Sequence, residues 1–205
     1  MIREYKKFNS TDLLVATHNT GKLKEFAELL QPHKIHAVSM AELKLPEPEE
    51  TGATFIENAT IKAVAASKIS GLPALADDSG LSVEALSGAP GIYSARWAGP
   101  SRNFDTAMRK VIDAMADFES SKAHFVCALA LSWPDGSLET FGGYVYGKIT
   151  WPPRGNNGFG YDPIFIPNGE TRTFSEMSPS EKDRISHRSD AFGKLVKFCF
   201  NDRKT

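Results

Sequence analysis

The sequence predicts an α/β protein whose helices flank a mixed sheet, with room for two lobes and a cleft between them. Two observations carry this expectation. In the first half, short apolar strands alternate with amphipathic helices, the pattern of parallel crossovers, and in the second half two long strand-like runs flank a tight turn, the pattern of an antiparallel hairpin. The size is sufficient: 205 residues, 41% of them hydrophobic, can bury a core as one domain or as two lobes sharing a sheet.

The elements follow in order. Leu13 to Ala16 reads as a short central strand, and Leu23, Phe26, Ala27 and Leu30 recur beyond it at helical spacing until Pro32 closes the helix. After the glutamate-rich loop ELKLPEPEETG, Thr54 and Glu57 form a capping-box pattern that opens a helix running to about Ile69, where Gly71 and Pro73 stop it. Another apolar strand reaches Ala76 and delivers the acids of DDSG. The segment LSGAPGIYSARWAGP is too rich in glycine and proline for a regular element and reads as a long ordered loop. Phe104, Ala107, Met108, Val111, Ile112, Met115 and Phe118 make the best helical stripe in the chain and are assigned to the core. In AHFVCALALSW, Phe125, Cys127, Leu129, Leu131 and Trp133 share one strand face, and the turn at Pro134, Asp135 and Gly136 returns the chain through LETFGGYVYGKI. A glycine-rich passage, RGNNGFGYDPIF, and the polar SEMSPSEKDRISHR precede a last helix carrying Ala191, Phe192, Leu195, Val196 and Cys199.

Composition narrows the function classes. Lys and Arg total 24 against 25 Asp and Glu, a formal net charge of -1, with no long run of one sign, so neither nucleic acid nor a membrane surface is expected as a partner. Two cysteines, Cys127 and Cys199, lie in apolar surroundings without a histidine or cysteine cluster, as expected of reduced core residues in a cytoplasmic protein. The amino end, MIREYKKFNSTD, lacks the apolar region of a signal peptide, and no apolar stretch approaches the roughly 20 residues that span a bilayer.

Chemistry concentrates at the joints of this scaffold. At the first strand-to-helix junction, unpaired N–H groups at the helix start offer a phosphate site to which Lys22 adds a charge and Thr17 a hydroxyl, while Asn19 either bridges turn backbone or meets a ligand. The alternative is plain capping with Lys22 on the surface and His18 a turn residue. Asp77 and Asp78 are costly beside an apolar strand unless they meet a cation, backbone donors or water. They form either an acidic turn capped at Ser79 or a hard oxygen site for Mg²⁺, with Glu49 or Glu50 as second carboxylate. Phe159 and Tyr161, set among glycines, either stack on a flat ligand or join the core, and Pro163 restricts Asp162 toward an extended backbone. Lys182, His187 and Arg188 form either a charged surface or a set of donors for phosphate and base oxygens.

The order and spacing of VATHNTGKLKEF, EETGATFIENA, ADDSGL, GAPGIYSARWAG, GFGYDPIF and EKDRISHR closely resemble the inosine triphosphate pyrophosphatase family across nearly the whole chain. The residues ahead of Leu13 are the departure, and residues 1–11 are expected to be a variable extension of a single two-lobed domain spanning residues 1–205. The resemblance implies an elongated α/β fold with the active-site cleft between its lobes, a homodimer, and Mg²⁺-dependent hydrolysis of deoxyinosine, inosine and xanthosine triphosphates to monophosphate and pyrophosphate. Carried over, it gives Thr17, His18, Asn19, Thr20, Gly21 and Lys22 to the triphosphate, Asp78 to proton acceptance and metal, and Ser79 to a substrate contact. Glu49 matches the other metal-associated acid, with Glu50 the less secure choice; Phe159, Gly160, Tyr161 and Asp162 match the base and sugar segment, and Lys182, His187 and Arg188 later substrate contacts.

Overall fold

Six strands in the spatial order β2-β1-β3-β4-β5-β6 form one sheet in the computed structural model, which describes residues 4–200. The chain order is β1 (Asp12–Val15), α1 (Thr20–Leu30), β2 (His36–Ser39), α2 (Phe55–Ser70), β3 (Ala74–Val83), α3 (Ser94–Trp97), α4 (Phe104–Ala114), β4 (Lys122–Ser132), β5 (Leu138–Ile149), β6 (Phe165–Pro167), α5 (Pro179–Asp183) and α6 (His187–Cys199). β1 runs parallel to both β2 and β3, with Leu14 opposite Val38 and Ala74, and β6 runs antiparallel to β5, with Ile149 opposite Phe165. This is the mixed α/β sheet that the sequence pattern predicts. Among the described residues no helix is long and apolar enough to cross a membrane.

The chain divides into two compact units. One contains the described residues up to Asp78, Ala128–Gly142 and those from Asp190 onward; the other contains Ser79–Cys127 and Gly143–Ser189. In the first, Leu14, Val38, Met40, Ala74, Ala76, Ala128 and Ala130 meet the alanine row Ala59, Ala63 and Ala66 of α2. Small side chains let this helix lie close to the strands, and the same buried face carries Asn58 and Lys62. The reciprocal Thr54–Glu57 capping box opens α2 and Gly71 ends it, as the sequence indicates. Part of the expected variable extension is packed here too: Phe8 N–H donates to Cys199 C=O at 2.7 Å, and the Tyr5 ring stacks on Phe198 at 4.6 Å. Residues 1–3 of that extension lie outside the described residues.

The second unit is built on Leu81, Val83, Met108, Val111, Phe125, Tyr161, Ile164, Phe165 and Phe174. The α4 stripe supplies much of it but stops short of the expected length: the helix ends at Ala114, and Phe118 is 53% exposed. Both faces of β4 are covered, since Val126, Ala128 and Ala130 are buried along with Cys127, Leu129 and Leu131. Two other expectations are corrected. The stretch read as a loop after Leu86 contains a 3-10 turn at Gly91–Tyr93 and the single helical turn α3. β3 continues through Val83 instead of ending at Ala76, so the two acids sit within a strand.

Thr54→Ala removes one half of the capping box and is expected to cost about 1 kcal/mol. Urea unfolding should show a lower midpoint with an unchanged slope; an unchanged midpoint would mean that tertiary packing alone fixes the start of α2.

Candidate active site

The turn from β1 into α1 uses its polar side chains locally. Thr17 Oγ1 accepts the Asn19 N–H at 3.1 Å, and Asn19 Oδ1 accepts the Lys22 N–H at 3.1 Å as the helix cap. No acidic residue occupies the first turn of α1, whose positive end therefore stays favourable to an anion. Lys22 is not the solvated lysine of the bland reading: its Nζ lies 2.9 Å from Asp77 Oδ2, a carboxylate with no exposed side-chain surface. His18 is exposed, and Thr20 and Gly21 begin the helix.

Alternation along β3 turns Asp78 away from Asp77, toward α2. Asn58 Nδ2 donates to Asp78 Oδ2 at 3.1 Å while its Oδ1 accepts the Gly52 N–H at 2.8 Å, so one amide ties the EETG loop to the strand. Gly52 suits this approach because a Cβ there would sit 2.6 Å from Glu57 Cβ and 2.8 Å from Asn58 Oδ1. Four residues along the helix, the buried Lys62 Nζ donates to Glu50 Oε1 at 2.5 Å. Burial by itself would lower the Lys62 pKa, but attraction to Asp77, Asp78 and Glu50 outweighs it and holds the group above the ordinary lysine value. For Asp78 burial wins: it raises the carboxyl to about 6, against the opposing pull of Lys62, Lys22 and the Asn58 hydrogen bond, with Glu50 adding to the rise. A carboxylate with that pKa is ionised at neutral pH and basic enough to receive a proton. The second acid brought into this field is Glu50, whereas Glu49 is exposed.

In the second unit, Ser79 Oγ accepts from Arg188 Nη2 at 3.3 Å, and Arg188 Cζ lies 5.9 Å from the Phe159 ring centroid. Arg188 is 2% exposed, and His187 is buried with its imidazole stacked on Phe125 at 4.9 Å, so SHR opens α6 and is no charged surface. The aromatic pair separates. Phe159 is half-buried, but Tyr161 is a core residue: its hydroxyl donates to Ser94 C=O at 2.9 Å, its ring meets Phe104 edge-on, and burial raises its pKa. Gly160 lies between them with φ +71. Asp162 and Lys182 are buried and joined by an ion pair of 2.8 Å.

The model of the Ham1 family matches residues 13–198. The chain belongs to the Ham1 family. A dITP/XTP pyrophosphatase of Rhodospirillum centenum is 57% identical over 95% of this chain and 98% of its own length, and one of Zymomonas mobilis is 55% identical over 91% of each chain. The solved structure of a HAM1 protein from Coxiella burnetii superposes with a TM-score of 0.84 at 43% identity, covering 92% of this chain and 98% of that one.

Sequence reasoning missed Asn58 and Lys62. Their signal is present: two polar residues four apart within an alanine row that faces the core, where an unpaired lysine would be costly. Asp78 in the ligand-free protein should titrate near pH 6 by carboxyl ¹³C NMR. Lys62→Met removes the leading favourable charge, so the midpoint should rise further; a midpoint in the ordinary range near 4 in both proteins would contradict the burial argument.

Proposed function

We propose that this protein hydrolyses non-canonical purine nucleoside triphosphates, those of deoxyinosine, inosine and xanthosine, to the monophosphate and pyrophosphate. The observation that carries the reading is Asp78, buried within β3 beside Lys62 and Lys22 and held by Asn58. The relatives named as dITP/XTP pyrophosphatases support the substrate class. In this reading α1 and Lys22 bind triphosphate oxygens, and Asp78 accepts the proton of the attacking water. A bond forms from water oxygen to the α-phosphorus as the bridging bond to the β-phosphate breaks, and pyrophosphate leaves as one unit.

Among the described residues no group of three His, Cys, Asp or Glu side chains makes a metal cage. The Asp78 and Glu50 carboxylates instead fit a cation that keeps part of its water and takes further ligands from phosphate, which suits Mg²⁺. Bound there, Mg²⁺ supplies charge neutralisation at the phosphates. Arg188, beside Phe159, is the donor for the base oxygen at position 6, where adenine carries an amino group; a mismatched buried donor costs on the order of 1–3 kcal/mol. The two units serve as lobes of one domain in this reading. A homodimer in the cytoplasm completes it, supported by the family resemblance and, for the compartment, by Cys127 and Cys199 as two buried core thiols.

Incubation of the purified protein with Mg²⁺ and a panel of triphosphates should release pyrophosphate and monophosphate, with inosine triphosphate preferred to adenosine triphosphate. Orthophosphate and a diphosphate as first products would overturn the assignment. Asp78→Asn should lower turnover by about a hundredfold or more with circular dichroism unchanged, and near-normal turnover would remove its role as base. Arg188→Ala should reduce kcat/KM for inosine triphosphate by roughly tenfold more than for adenosine triphosphate. An equal loss would assign Arg188 to phosphate or architecture.

A further inference from the structure

Phe159 follows a run of exposed residues from Gly155 to Gly158, yet its ring is half-buried. Beneath it lies Asp162, 3% exposed, whose Oδ2 accepts both the Phe159 N–H at 2.9 Å and Lys182 Nζ at 2.8 Å. The Lys182 ammonium stands 4.8 Å from the Phe159 ring centroid and 5.7 Å from that of Phe174, so one buried cation touches the carboxylate and both rings. Gly158 closes the arrangement: its φ is +73, and a Cβ there would fall 2.2 Å from Asp162 Oδ2. The turn is shaped around that oxygen.

The family resemblance places Asp162 and Lys182 among substrate contacts, but their charges are directed at each other and at the loop that presents Phe159. We propose that Asp162 and Lys182 are positioning residues, a buried ion pair that fixes the Phe159 ring as a preformed stacking platform for the base. The proposal rests on the nucleotide-hydrolase reading of the site. A ring held in place before binding loses little freedom when a base stacks on it. Stacking is indifferent to the base's edge groups, so the pair governs how tightly any purine triphosphate binds, while discrimination among purines falls to edge-reading donors such as Arg188.

Neutralising one member leaves the other as an uncompensated buried charge, whereas neutralising both removes that conflict. Asp162→Asn and Lys182→Met are therefore expected each to raise KM for inosine and adenosine triphosphates by the same factor, roughly tenfold to hundredfold, with the effect on KM and not kcat. The double variant should recover severalfold in KM and regain thermal stability relative to Asp162→Asn alone. If either single variant fails to fold, the double variant, which leaves no uncompensated buried charge, carries the comparison with the parent protein. Losses that multiply in the double variant, or a changed ratio between the two substrates, would make these residues direct contacts and overturn the proposal. The Phe159 amide in ¹⁵N-phenylalanine-labelled, ligand-free protein gives a readout independent of turnover. It should shift in Lys182→Met as well as in Asp162→Asn, and an amide unmoved by Lys182→Met would overturn the proposal even if hydrolysis is confirmed. Failure of the parent protein to hydrolyse any triphosphate would overturn the activity reading and leave the amide result standing.

Discussion

Two carboxylates within one strand are the constraint on which the first unit is organised. Asp77 and Asp78 project from opposite faces of β3, both removed from water in a strand where Leu75, Ala76, Leu81 and Val83 are buried. An isolated charge in such a place costs several kcal/mol, so each acid requires a specific partner. Lys22 reaches Asp77 from the first turn of α1, and Asn58 and Lys62 surround Asp78 from α2. The alanine row of α2 brings that helix near enough for its polar side chains to reach the strand. In α1 the cap and the pair share a residue: Lys22, whose N–H donates to Asn19, also meets Asp77.

The compensation is incomplete at Asp78, and this is its chemical value. Were the lysines dominant, its pKa would fall below the usual carboxylate range and the group would be a poor base. Burial prevails, and the carboxyl is held at about 6. A further positive charge brought with substrate would meet a carboxylate that still gains from one. The second unit solves a different problem, presenting a flat ring on an exposed loop. It does so with a buried pair, Asp162 and Lys182, and with Arg188 brought to Phe159 from the first turn of α6.

Much of this was legible in the sequence where local rules decide. The Thr54–Glu57 box, the Asn19 cap position and the α4 stripe each report on residues three or four apart, and they give the right elements. The extent of β3 was not legible, because adjacent acids normally mark the end of a strand, and what keeps them inside it are lysines 55 and 16 positions away in sequence, Lys22 for Asp77 and Lys62 for Asp78. Burial of Arg188 and His187 was hidden for the same reason: as sequence, EKDRISHR fits a charged surface as well as a set of donors until Phe125, Ser79 and Phe159 are brought to it from distant segments. Tyr161 and Phe159 are chemically alike and two residues apart, yet only the fold separates the core ring from the half-exposed one.

If Asp78 is held in its ionised form against the preference of its surroundings, the protein gives up stability for it. The folded-state pKa, about 6, lies above the ordinary aspartate value of 3.8, so this group's contribution to stability is fully present below pH 3.8 and is lost as pH rises through 6. Asparagine retains an acceptor for Asn58 and carries no charge. The most direct measurement is therefore thermal unfolding of Asp78→Asn beside the parent protein between pH 4 and pH 8. The difference in Tm should move in favour of the variant as pH rises from 4 to about 6 and then level off. A difference that stays constant, or moves toward the parent protein over that interval, would mean that the lysines stabilise the Asp78 carboxylate outright, and the balance described for β3 would be wrong.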